Sequence, residues 1–145
     1  ARVALPGLLR TGRVTALLQA LPALPAPKRR VAREALASLE GGLRRKEKAW
    51  LTGPAQGDEA LEALHALRRA VRRLRYAREW VGHGSGHLAQ RQEQLGAAAD
   101  LGLRARYQAR FLAAGGKVPA AERKRLQRAL TVALAQARAR WRATK

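Results

Sequence analysis

Apolar positions recur at intervals of three and four along most of this chain, the spacing of one face of an α-helix. LPALPAP at 21–27 is a break, because Pro22, Pro25 and Pro27 each forbid a helix interior. After it, Val31, Ala35, Leu36, Leu39 and Leu43 predict a helix from Lys28 to about Trp50, weakened locally by Gly41 and Gly42. TGPAQG at 52–57 reads as a loop. Asp58 then serves as N-cap or first-turn acid, and Glu59 and Glu62 suit the positive start of a second helix that runs to Val81. GHGSG at 82–86 ends it. A further helical stretch covers about 87–113, interrupted or bent near Gly96 and Gly102. AAGGKVP at 113–119 is the next turn, and Pro119 opens a last helix to about Trp141 with Glu122 in its first turn. Residues 2–20 are also helical in pattern after Pro6. The expectation is an all-α protein, an antiparallel bundle of about five long helices. No internal domain boundary is visible, so 1–145 reads as a single domain.

The second helix differs from an ordinary surface helix. HALRRAVRRLRYARE at 65–79 holds six arginines, and its only acid is Glu79 at the end. At 3.6 residues per turn, Arg72 and Tyr76 fall within about 20° of His65, and Arg68, Arg69 and Glu79 within about 60°. Leu64, Leu67, Ala70, Val71, Leu74 and Ala77 fall on the other side. The helix therefore buries one face and carries a dense basic stripe on the other. Arg73 and Arg75 flank the stripe, and Arg78 sits nearer the apolar side. Arg68/Arg72 and Arg69/Arg73 repel at i, i+4, with no acid at i±4 to relieve either pair. An anion would relieve both. Beside phosphate oxygens, His65 could donate from both ring nitrogens once protonated, a form a nearby anion favours. Tyr76 could donate its hydroxyl to a phosphate oxygen.

Composition widens this local signal to the whole chain. Thirty Lys and Arg stand against ten Asp and Glu in 145 residues, a formal charge of +20. Such an imbalance opposes compaction unless an anion binds. The partner classes are then nucleic acid, an acidic membrane or a phosphate polymer. Arg predominates over Lys, and its planar fork of donors matches phosphate oxygens. The aromatics are few (Trp50, Tyr76, Trp80, Tyr107, Phe111 and Trp141), whereas single-strand nucleic-acid binders use many as stacking platforms. No Cys is present, which excludes disulfides and thiolate metal sites. No apolar run approaches the roughly 20 residues that span a bilayer, and no signal peptide is visible, so a cytoplasmic protein is expected. With no Met in the sequence, Ala1 is not expected to be the translated start.

The residues of 65–79 resemble the hallmark of the conserved histidine α-helical domain, the CHAD family. That hallmark is a His, an Arg three later, a basic pair at seven and eight, then Leu-Arg-Tyr. His65, Arg68, Arg72, Arg73, Leu74, Arg75 and Tyr76 match it. Leu95-Gly96 and Asp100-Leu101 match the Leu-Gly and Asp-Leu of the family's next helix, with Ala99 where Asn is frequent. The resemblance implies two similar helical halves around a basic groove. It also implies binding of inorganic polyphosphate, often in granules. On it, 58–145 is the second half with the binding helix, and 1–57 a degenerate first half. Arg2 would follow a missing His, Pro6-Gly7 replace a basic pair, and Thr11 and Arg13 stand where acids are common. Dimerisation would supply the missing half of the groove.

Other basic clusters are candidates for an opposite wall: Lys28, Arg29, Arg30 and Arg33; Arg44, Arg45, Lys46 and Lys48; Arg104 and Arg106; Arg123, Lys124, Arg125 and Arg128. Arg44–Lys48 and Arg138–Arg142 also suit the negative end of a helix. Arg123, Lys124 and Arg128 sit early in theirs, where the dipole disfavours them, which makes them better candidates for facing an anion. Asp58, Glu59 and Glu62 are explained by helix-start placement. His83 and His87 lack a third metal ligand. There is no P-loop, GxSxG or HExxH. The expectation is therefore a non-enzymatic protein without cofactor or metal that binds polyphosphate or a related polyanion. The expected contacts are His65, Arg68, Arg69, Arg72, Arg73, Arg75, Tyr76, Arg123, Lys124 and Arg128. Nucleic acid stays open as the alternative ligand.

Overall fold

A computed structural model describes residues 28–144. Among them the chain forms five α-helices and no strand: α1 (Arg29–Thr52), α2 (Gly57–Trp80), α3 (Gly86–Gln94), α4 (Gly96–Ala113) and α5 (Ala120–Ala143). The protein is thus an all-α helical bundle. The pattern at 2–20 and the break at 21–27 lie outside the described residues. Contacts divide the chain after Ala32, and the bundle below is the unit Arg33–Lys145.

The periodicity of α2 reads through directly into its packing. Ala60, Leu61, Leu64, Leu67, Val71 and Leu74 are buried, at intervals of three and four that put them on one stripe. They meet Leu88 of α3, Ala98 and Ala99 of α4, and Leu130 and Leu134 of α5 in one core. Asp58 is not the N-cap; that position is Gln56, and Asp58 and Glu59 occupy the first turn.

The stretch 87–113 is two helices, and they part at Leu95 rather than bending at Gly102. Leu95 is fully buried and separates Gln94, the end of α3, from Gly96, the start of α4. Gly102 lies inside an unbroken helix because its missing side chain is filled by a neighbour. A Cβ there would stand 2.7 Å from Leu61 Cδ2. The glycine sets how closely α4 approaches α2.

Two tryptophans fasten α1 to α5. Trp50 and Trp141 are both fully buried. Trp141 Nε1 donates to Glu47 Oε1 at 3.0 Å. The Arg138 guanidinium lies 4.4 Å from the centre of a Trp50 ring. It donates to the carbonyls of Gly53 and Pro54 in the loop after α1. Arg138 is thus a buried anchor more than a turn from the helix end, not a charge answering the helix dipole. Arg44–Lys48 also miss the last turn, because α1 continues to Thr52, whose hydroxyl donates to the Lys48 carbonyl at 2.9 Å.

Candidate anion-binding face

The basic stripe of α2 lies between two neighbours. Arg69, Arg72, Arg73 and Tyr76 are exposed, while His65 and Arg68 are half-buried at its margin.

Toward α1 the stripe forms one wall of a groove of about 280 Å³. Ser38, Leu39, Gly42 and Lys46 come from α1, and Ala66, Arg69, Ala70 and Arg73 from α2. Alanines and a glycine keep the floor low. Three cations converge on it, and no carboxylate lines it. A site of this kind can neutralise several anionic oxygens at once.

Toward α4 the stripe meets Arg106. The His65 Nε2 atom is buried and has no hydrogen-bond partner. Its pKa lies below the ordinary value of 6.5, first through burial and then through the positive charges of Arg106, Arg69 and Arg68. The histidine is therefore neutral in the free protein at pH 7. An anion that offset those arginines would raise its pKa, because it would favour the charged ring.

Arg75 does not stand free on the stripe. It lies on the α3 side of α2, where Nη1 donates to Gln92 Oε1 at 3.3 Å. Nε sits 3.2 Å from Glu79 Oε1, and the guanidinium lies 4.9 Å from the Tyr76 ring centre. Its charge is already answered, and it braces Tyr76. Arg78 points to the core side and bridges to α1, donating to Glu40 Oε1 at 3.4 Å and to the Gly84 carbonyl at 3.2 Å.

The α5 candidates Arg123, Lys124 and Arg128 are exposed. The α1–α2 groove is lined without them. So is a cavity at the start of α2, where Arg106 meets Asp58, Gln127 and Thr131. Lys124 precedes Gln127 by three residues and so shares the flank of α5 that borders this cavity. Arg128 sits on the outer face, nearly opposite buried Leu130. The structure thus brings Lys46 and Arg106 to the α2 stripe. The sequence offered both within basic clusters that were candidates for the wall opposite α2; which cluster members reach the stripe depends on how the helices pack.

Among the described residues no group of three or more His, Asp and Glu is placed to hold a metal ion. No described helix is long and apolar enough to cross a membrane. No protein-family model, curated protein or solved structure matches this chain.

Proposed function

We propose that this protein binds inorganic polyphosphate along the exposed face of α2, without catalysis. The observation that carries this reading is the α1–α2 groove. Lys46, Arg69 and Arg73 converge there with no lining carboxylate, while Arg72 continues the stripe and Arg106 closes its other margin. Polyphosphate carries dense charge and no bases, so its recognition needs cationic donors rather than aromatic stacks. The resemblance of His65–Tyr76 to the CHAD hallmark supports the same ligand, and with it a cytoplasmic protein associated with polyphosphate granules. In this reading Arg69, Arg72, Arg73 and Lys46 grip successive phosphates. His65 and Arg68 meet the chain at the α4 margin, and Arg75 holds Tyr76 in place.

Calorimetric titration with polyphosphate tests this. Arg69→Ala/Arg73→Ala should weaken binding by about 1–3 kcal/mol for each guanidinium–phosphate hydrogen bond removed. Wild-type affinity should fall steeply with salt, as for other phosphate polymers. Excess polyphosphate should displace the bound chain far better than duplex DNA of equal phosphate content. Equal displacement by both, together with an unchanged double variant, would overturn the proposal and leave a generic basic surface.

A further inference from the structure

α4 carries a second feature that polyphosphate binding does not use. Leu103, Tyr107 and Phe111 stand one turn apart on its outer side and are 48%, 61% and 54% exposed. An apolar ridge with two neighbouring aromatics is unusual on so charged a surface. Phe111 is held in place. The turn after α4 closes with Gly115 N–H on the Leu112 carbonyl and Gly116 N–H on the Phe111 carbonyl, at 3.0 and 2.9 Å. Gly116 then lies directly under the ring, where a Cβ would collide with its atoms. One side of the ring is braced by backbone and the other is open. Tyr107 borders a broad groove between α4 and α5, with Arg104, Gln108, Glu122 and Arg125 around it. By helical register Arg110 lies on the opposite side of the ridge, and Lys117 follows the bracing glycine. Glu122 and Asp100 are the carboxylates nearby, so cations outnumber acids around the rings.

We infer that the Tyr107–Phe111 ridge of α4 is a stacking platform for single-stranded nucleic acid, separate from the α2 face. Two open π-faces can each receive a base, and Arg104, Arg110, Lys117 and Arg125 lie where the flanking phosphates would run. Side chains at i, i+4 are about 5–6 Å apart at Cβ, wider than the roughly 3.4 Å step of a stacked strand. The ridge therefore suits bases splayed apart. It suits a peptide helix less well. Such a ligand lays its apolar face into a groove, and Leu103 and Phe111 do not line the α4–α5 groove that Tyr107 borders.

Fluorescence anisotropy with labelled twelve-nucleotide oligothymidylate tests this, against an abasic deoxyribose-phosphate chain of the same length and charge. The intact protein should bind the thymidylate about tenfold or more tightly than the abasic chain, since each stacked base contributes about that factor. Tyr107→Ala/Phe111→Ala should erase the gap, and Tyr107→Leu/Phe111→Leu, which keeps apolar bulk, should erase it too. Arg69→Ala/Arg73→Ala should preserve the gap, and both aromatic double variants should retain polyphosphate binding. Equal binding of the two chains by the intact protein would overturn the inference. So would a gap that survives loss of both rings, which would place base recognition elsewhere. Neither result would touch the α2 proposal, which the polyphosphate titration decides independently.

Discussion

His65 is the residue whose protonation should report on the site. Its pKa is lowered by burial first and then by Arg106, Arg69 and Arg68. In the unfolded chain it returns to about 6.5. The folded state therefore binds fewer protons below that value, and stability falls as pH drops from 6.5 through the lowered pKa. Melting temperature should decline between about pH 7 and pH 5, and less so in His65→Gln. Identical acid slopes in the two proteins would show that the ring's surroundings do not disfavour its charge. Binding should run the other way: polyphosphate favours the charged ring, so association near neutral pH takes up a proton. Calorimetry in buffers of different ionisation enthalpy should detect that uptake in the wild type and not in His65→Gln. Arg138 makes the stability prediction of the same scale. It is buried against Trp50 and donates to the Gly53 and Pro54 carbonyls. Arg138→Ala should cost about 2–3 kcal/mol in denaturant titration, whereas a surface charge would cost almost nothing. Periodicity did not show this role, because an Arg near a helix end looks the same in sequence whether it answers a dipole or caps a tryptophan.

At the scale of helices, the two α4 glycines make opposite predictions. At Gly102 a Cβ would meet the tip of the Leu61 side chain at 2.7 Å, and Leu61 is buried, so its shift must be absorbed by the surrounding core. Overpacking costs about 1–3 kcal/mol, against a helix-propensity gain of about 1. Gly102→Ala should therefore lower stability or leave it unchanged, by at most about 2 kcal/mol. At Gly96 nothing lies within 4 Å of the added carbon. Gly96→Ala should stabilise by up to about 1 kcal/mol, by restricting the unfolded chain. If both alanines stabilise equally, α4 does not press on α2 at Gly102. The contrast shows what helical patterning conveys. The buried side of α2 was legible residue by residue, since Leu64, Leu67, Val71 and Leu74 had to share a face. The break beside Gly96 was legible as one of two candidate interruptions; the close approach at Gly102 was not, since either glycine could equally have bent the helix. The basic stripe was legible for the same reason as the core, being its complement. Its partners Lys46 and Arg106, and the diversion of Arg75 to Gln92 and Glu79, depend on which helix lies on which side, and no single-helix pattern contains that.

For the whole molecule the governing quantity is the formal charge of +20. Thirty cations and ten acids cannot be paired within the chain, so the folded protein carries net self-repulsion that the more expanded unfolded chain partly escapes. Salt and ligand should then each stabilise the folded protein, and salt should diminish the ligand's share. With no ligand, raising NaCl from about 0.01 M to 0.15 M shortens the screening length from about 30 Å to about 8 Å, and the melting temperature should rise. Polyphosphate at low salt should raise it further, by the linkage of binding to folding, about 2.7 kcal/mol at a hundredfold excess over Kd. That increment should shrink as NaCl is added, because competing counterions weaken the association. The free and bound melting curves should therefore converge with rising salt, the free one from below. An increment that persists undiminished at high salt would mean the ligand is not held chiefly by the Arg and Lys of the α2 face. A free protein that loses stability as salt rises would mean that internal ion pairs such as Arg78–Glu40 outweigh the net repulsion. The charge would then be tolerated by the fold rather than poised for a polyanion.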